Sequence, residues 1–186
     1  MEALVTAFVA AFLATWGAKT QLVVAALAAA TRRPVLVMAG LALAALASSI
    51  VAAVAGIWIA ATITIRAMTL LTAVALLFGG VSALIARQRK ETVTARLPLA
   101  TAFILCLAAE MGDSAQFLTF ALAGRFGSAP LAAAGATAGI AAACLPAAIL
   151  GERLEAAVPL RAIRYGVAAL FLVVGFIVAM KALQLA

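Results

Sequence analysis

Six long apolar segments, separated by short polar stretches, account for most of this 186-residue chain. They cover roughly residues 3–29, 34–61, 67–86, 98–123, 128–150 and 162–184. A helix needs about 20 apolar residues to cross the hydrocarbon core of a bilayer, and each segment is that long. Charged residues make up only 10% of the chain, against about 25% in soluble domains, so they cannot cover a water-exposed surface. We therefore predict an all-α membrane protein with six transmembrane helices.

The second half of the chain repeats the first at an offset of 95 residues. The informative pairs at this offset are Gly17 with Gly112, Gln21 with Gln116, Gly40 with Gly135, Gly56 with Gly151, Arg66 with Arg161 and Gly80 with Gly175. We place the first three-helix repeat at residues 1–91 and the second at 92–186, divided within the polar stretch 87–97. Because three is an odd number, the second repeat must enter the membrane in the opposite direction. Inverted repeats of this kind are common in secondary transporters, which bind substrate between the repeats near mid-bilayer.

Basic residues outside the apolar segments or close to their ends are distributed unequally between the two sides of the predicted membrane protein. Nine lie on one side and three on the other: Arg32, Arg33, Arg87, Arg89, Lys90, Arg96, Arg153, Arg161 and Arg164 against Arg66, Arg125 and Lys181. Since Lys and Arg accumulate in cytoplasmic loops, we expect both termini outside a bacterial inner membrane and the stretch 87–97 in the cytoplasm. These loop residues account for the net charge of +7, so we predict no nucleic-acid partner. The expected partner is the lipid bilayer, and the sequence leaves a homo-oligomer open.

Two acidic residues, Glu110 and Asp113, lie in the middle of the fourth apolar segment, about 12 to 15 residues from its start. At about 1.5 Å per residue, this depth is close to the bilayer centre, where an ionisable side chain indicates a functional site. Spaced i and i+3, the two acids share one face of a continuous helix. Like charges so close make at least one of them bind a proton more readily. Their oxygens suit hard cations such as Ca²⁺, Mg²⁺ and Mn²⁺, so we predict a site for a cation and protons.

Polar residues near these acids extend the candidate site. Ser114 and Gln116 follow in the same segment and can supply neutral oxygens. Lys19 occupies the position equivalent to Ser114 in the first repeat, too deep for its ammonium to reach the membrane surface. If pseudo-symmetry brings the first and fourth segments together, Lys19 is the natural charge partner of Glu110 or Asp113. The chain contains no nucleophile–base set and no cofactor motif, so we predict neither enzymatic activity nor a bound cofactor.

The two equivalent windows carry degenerate copies of the pattern E-x-G-D-[K/R]-[S/T]. Residues 110–116 read E-M-G-D-S-A-Q, and residues 15–21 read T-W-G-A-K-T-Q, the more degenerate copy. This pattern, in two three-helix repeats, resembles the Gdt-type (transmembrane protein 165-like) cation/proton exchangers, a family that includes bacterial manganese exporters. The resemblance implies export of Mn²⁺ or Ca²⁺ as transported substrate in exchange for protons, with Glu110 and Asp113 as ligands and proton acceptors. It also implies that neutral oxygens replace the missing acids as metal ligands: Thr15, Gln21, Ser114 and Gln116, with backbone carbonyls or water.

Two alternative functions stay open on the sequence alone. A small-solute exporter similar to the lysine-exporter group also uses small six-helix units, and Lys19 would then bind an anionic group. A membrane subunit without transport activity would carry the motif as a relic. Metal transport predicts that the carboxylates are essential, whereas a relic predicts that they are dispensable.

Overall fold

The computed structural model describes residues 1–85 and 97–183 of the chain. They form helices α1 (Glu2–Thr15), α2 (Lys19–Thr31), α3 (Pro34–Ala60), α4 (Ile65–Ile85), α5 (Pro98–Glu110), α6 (Ser114–Phe126), α7 (Ala129–Leu150), α8 (Leu154–Ala157) and α9 (Leu160–Ala182), with a 3-10 turn at Gly151–Arg153. The predicted repeat boundary at residues 91 and 92 lies outside the described residues, as does nearly all of the polar stretch 87–97.

Local sequence signals set where several of these helices begin and end. Helices α3, α5 and α7 each have a proline in the first turn. Proline is tolerated there because an N–H group in the first turn has no partner within the helix. Helices α2 and α6 are ended by residues in the left-handed conformation, Arg32 (φ 54°) and Gly127 (φ 66°), a common helix stop. Arg32 and Gly127 are related by the 95-residue offset, so both repeats end their second helix in the same way.

Two of the six membrane crossings are broken helices. Helices α3, α4, α7 and α9 are each long and apolar enough to cross a bilayer alone. Helices α1 and α2 meet at a bend of 68°, and α5 and α6 meet at a bend of 70°. Each bent pair has the length and composition of one crossing, which gives three crossings in each repeat. The protein is therefore an all-α membrane protein of two inverted three-helix repeats, as the sequence predicted.

The two repeats interlock through their first helices. Helix α1 packs against α6 and α7 of the second repeat, and α5 packs against α2 and α3 of the first. Gly135 of α7 lies directly against the α1 backbone at Leu4, and Gly40 of α3 lies directly against the α5 backbone at Leu99. A side chain at either glycine would collide with that backbone. These contacts are related by the 95-residue offset, so small residues allow each repeat to enclose the first helix of the other.

One arginine that the sequence placed among the loop charges is a buried residue of the last helix. Arg164 lies in the second turn of α9, which begins at Leu160. Its side chain is 7% exposed, and its Nε donates a hydrogen bond to the carbonyl of Ala83 in α4 at 2.9 Å. The prediction that Arg164 is a loop charge outside the spans is therefore wrong, because Arg164 lies within helix α9 and its side chain packs inside the protein.

Candidate functional site

The same backbone break occurs once in each repeat. Gly17 lies between α1 and α2 with φ of 72°, and Gly112 lies between α5 and α6 with φ of 81°. Both values are left-handed conformations that glycine adopts without steric cost. The Gly17 amide donates to Oε1 of Gln21 at 2.8 Å, and the Gly112 amide donates to Oε1 of Gln116 at 2.9 Å. The shared Gly-x3-Gln spacing thus builds the same break twice: the glycine turns the chain, and the glutamine accepts the glycine N–H.

The break in the second repeat separates the two acidic residues. Glu110 is the last residue of α5, and Asp113 precedes α6 as its N-cap. Because the positive φ of Gly112 turns the chain between them, the prediction that they share one face of a continuous helix is wrong. Glu110 is 1% exposed and Asp113 is partly buried. The two carboxyl groups therefore stand on either side of a bend inside the membrane-spanning region.

Each acidic residue has one buried carboxylate oxygen that is free of hydrogen bonds. Glu110 Oε1 accepts a hydrogen bond from the Thr20 hydroxyl of α2 at 2.8 Å, across the interface between the repeats. Glu110 Oε2 and Asp113 Oδ2 have no hydrogen-bond partner among the described residues. Buried polar atoms are nearly always paired, and an uncompensated buried charge costs several kcal/mol. These two oxygens are therefore available to a proton or to a cation.

A cavity of about 140 Å³ lies between the two breaks and reaches Asp113. Most of its lining consists of pairs related by the 95-residue offset: Ala14 with Ala109, Trp16 with Met111, Gly17 with Gly112, Ala18 with Asp113, and Lys19 with Ser114. Ser82, Ala83 and Arg164 complete the lining from α4 and α9. Since both members of each pair line it, the cavity lies on the pseudo-two-fold axis, where inverted-repeat transporters bind their substrates.

Two basic residues share this cavity with Asp113. Lys19 is the first residue of α2, and its side chain is exposed. The two free carboxylate oxygens have no partner in the described part of the chain, so the Lys19 ammonium does not hydrogen-bond to either of them. The Arg164 stem packs over Gly17, where a Cβ atom would collide with it. The contact of Arg164 with this cavity could not be predicted from the repeat, because the equivalent position in the first repeat is occupied by Thr69.

The two glutamines among the predicted ligands form hydrogen bonds with the backbone. Besides accepting from Gly17, Gln21 donates through Nε2 to the carbonyl of Ala143 in α7 at 2.8 Å, and it is fully buried. Gln116 is partly buried and accepts from Gly112. In this arrangement both side chains hold the helix breaks in place.

The two predicted hydroxyl ligands differ in their surroundings. Thr15 is fully buried, and its hydroxyl donates to the carbonyl of Ala11 in its own helix at 2.7 Å. Ser114 is buried and lines the cavity beside Asp113. Among the side chains that the structure describes, no group of three or more from His, Cys, Asp and Glu is arranged to hold a metal ion. A cation at this site would therefore combine the two carboxylates with neutral oxygens or water.

Comparison with known proteins agrees with the two-repeat arrangement. A protein-family model described as "Divalent cation/proton antiporter GDT1" matches residues 3–91 and 98–186. A protein of Vibrio cholerae serotype O1, named "Putative manganese exporter", is 30% identical over 175 residues, which cover 92% of this chain and 88% of that protein. No solved structure matches the chain. The family resemblance seen in the motif is thus confirmed, and the chain belongs to the divalent cation/proton antiporter GDT1 family.

Proposed function

We propose that the protein exchanges a divalent cation, Mn²⁺ or Ca²⁺, for protons across a bacterial inner membrane. The observation that carries this proposal is the pair of buried, unpartnered carboxylate oxygens, Glu110 Oε2 and Asp113 Oδ2. Oxygen ligands are those that hard divalent cations prefer. Broken helices in transporters commonly coordinate cations through exposed carbonyls at their C-terminal ends, and α5 ends at Glu110 itself.

Exchange follows because two ionised carboxylates with no bound cation have a high free energy inside the membrane. Inside the membrane, two ionised carboxylates without a counter-charge are strongly unfavourable. Glu110 and Asp113 therefore hold either a cation or protons, and binding the cation releases the protons. A protein with two inverted repeats can adopt two related conformations, one open to each side of the membrane. Alternation between these conformations would couple cation movement to proton movement in the opposite direction.

The basic residues at the cavity modify the affinity of the proposed site. Lys19 and Arg164 line the same cavity as Asp113, so an arriving divalent cation meets two positive charges near the carboxylates. Electrostatic repulsion of this kind weakens cation binding most where the charges are desolvated. Arg164 is held by its bond to Ala83, whereas Lys19 is exposed and free to move away. Lys19 is thus the residue that we propose moves when the cation binds.

A small solute with an anionic group is the second candidate substrate. Lys19 and Arg164 together favour it, because two cations at a cavity attract a carboxylate or phosphate. This candidate corresponds to an exporter similar to the lysine-exporter group. In that case Glu110 and Asp113 would interact with protons or with an amino group of the solute.

Reconstitution into liposomes that contain a pH-sensitive dye distinguishes these functions. Gradients of Mn²⁺, Ca²⁺, Mg²⁺ and Na⁺ are imposed in turn, with lysine and glutamate as solute arms. We expect counterflow of protons with Mn²⁺ or Ca²⁺, and none with Na⁺ or in liposomes that carry Glu110→Gln protein. Proton movement with a solute but with no divalent cation would contradict cation exchange. No proton movement with any of the cations or solutes would indicate a subunit without transport activity.

A further inference from the structure

The hydrogen bond between Glu110 and Thr20 has no counterpart on the other side of the pseudo-two-fold axis. Glu110 comes from the second repeat and Thr20 from the first. Applying the 95-residue offset to both gives Thr15 and Ala115, on helices α1 and α6, which also pack together. Thr15 and Ala115 are fully buried, but Ala115 has no hydroxyl, and Thr15 donates to Ala11 of its own helix. One side thus holds a carboxylate and its donor, and the other side holds neither.

The residues that line the cavity show the same asymmetry. Asp113 of the second repeat and Lys19 of the first both line it. Their equivalents at the 95-residue offset are Ala18 and Ser114, and both of these line the same cavity. The charged pair Asp113 and Lys19 therefore has a neutral pair, Ala18 and Ser114, as its equivalent in the other half.

Electrostatics explains why the charged groups of a half-site and their partners should be either all present or all absent. A carboxylate at position 15 without a hydroxyl at position 115 would lack a hydrogen-bond donor, and an ammonium at position 114 without an acid at position 18 would lack a counter-charge. Leaving a buried carboxylate without its hydrogen-bond donor costs more free energy than replacing both groups with neutral ones, and the cost is greater inside a membrane. A half-site of this kind is therefore stable when it is complete and when it is wholly neutral, but not between those states.

We infer that this chain carries one complete half-site, made of Glu110, Asp113, Lys19 and Thr20, and that the symmetry-related half-site is wholly neutral. The neutral half consists of Thr15, Ala18, Ser114 and Ala115. This inference rests on the proposed function for the nature of its ligand, a divalent cation. The cation is held by carboxylates from one side only, so neutral oxygens or water fill its remaining coordination positions, and its affinity is limited by the missing acids.

Rebuilding the missing hydrogen bond tests the inference without transport. Two double variants are compared in detergent and without metal: Thr15→Glu with Ala115→Thr, and Thr15→Glu with Ala115→Val. Thr and Val have nearly the same shape, so the two variants differ in one hydroxyl group. If position 115 faces position 15 as Thr20 faces Glu110, the variant with threonine unfolds at a higher temperature, by about 2 °C or more. Equal melting temperatures would overturn the half-site inference.

A neutral pair of variants keeps the test decisive if a buried glutamate prevents folding. In these variants Thr15→Gln is combined with Ala115→Thr or with Ala115→Val, and the two melting temperatures are compared. The amide oxygen of glutamine can accept the same hydrogen bond without carrying a charge. Thr20→Val and Thr20→Ser measure the same effect in the existing half-site. The serine variant keeps the hydroxyl group, so it should retain most of the stability that the valine variant loses.

Added Mn²⁺ then tests the ligand separately. A ligand that binds the folded state raises the melting temperature, and we expect a larger rise for Thr15→Glu with Ala115→Thr than for the unchanged chain. If Mn²⁺ and Ca²⁺ stabilise no variant, the proposed cation function fails, while the threonine–valine comparison still decides the half-site. If Mn²⁺ stabilises the unchanged chain and the rebuilt variant equally, the inferred limit on affinity is wrong.

Discussion

At the scale of single residues, the charges of Glu110 and Asp113 are the most direct test of coupling. We expect Glu110→Gln and Asp113→Asn each to abolish proton flux driven by Mn²⁺ or Ca²⁺, because the amide neither ionises nor replaces a carboxylate ligand. Removing a charge from the membrane interior should ease insertion, so the amount of folded protein should not fall. Glu2→Gln, at an exposed position in the first turn of α1, is the matched control and should transport normally. Normal flux in both site variants would contradict the assignment.

Lys19 offers a second test at this scale, with the opposite sign. Replacing it with methionine removes a cation from the cavity that contains Asp113 but keeps much of the apolar stem. We expect the apparent KM for the divalent cation to fall, on the order of fivefold, because less repulsion opposes binding. Lys19→Arg keeps the charge and should leave KM near its original value. An unchanged KM in Lys19→Met, measured in the same liposome assay, would show that the ammonium does not act on the bound cation.

At the scale of helices, the two glycine breaks provide an internally controlled comparison. Alanine at Gly17 or Gly112 must adopt a left-handed conformation, which costs about 1–2 kcal/mol. At Gly17 the new Cβ also collides with the Arg164 stem, whereas at Gly112 it meets no atom within 4 Å. We therefore expect Gly112→Ala to lower the melting temperature by about 2–8 °C and Gly17→Ala to lower it further. Gly166→Ala, in an uncrowded part of α9, should have no such effect. Equal losses at Gly17 and Gly112 would contradict the Arg164 contact.

The helices themselves could be predicted from the sequence more completely than the site. Apolar length and the 95-residue offset are properties of the chain alone, so six crossings and their inversion followed directly. The breaks were harder to predict, because hydropathy runs unbroken through Gly17 and Gly112. The informative signal was the repeated Gly-x3-Gln spacing, whose glutamines were interpreted as ligands. Arg164 could not be placed from sequence, because its burial depends on the carbonyl of Ala83, which is distant in the chain.

At the scale of the whole molecule, the interlocked packing makes the two repeats mechanically dependent on each other. Helices α1 and α5 each pack mainly against the opposite repeat, and the glutamine of the first break bonds to α7 of the second repeat. Neither break can move without displacing helices of both repeats. A conformational change that opens the cavity to the other side of the membrane must therefore involve both bends at once. Coupling between the bends would keep a protein with the proposed exchange function from leaking either substrate.

The orientation of the whole molecule is the last prediction. Without Arg164, which is buried, eight basic residues remain on the side of the stretch 87–97 against three on the other. This bias still places that stretch in the cytoplasm and both termini outside. We expect alkaline phosphatase fused after the last residue to be active and a fluorescent protein fused there to be dark, because the first folds only outside and the second only inside. The same reporters inserted within residues 87–97 should give the reverse result. If the C-terminal fusion is fluorescent and the inserted reporter shows phosphatase activity, the orientation is inverted.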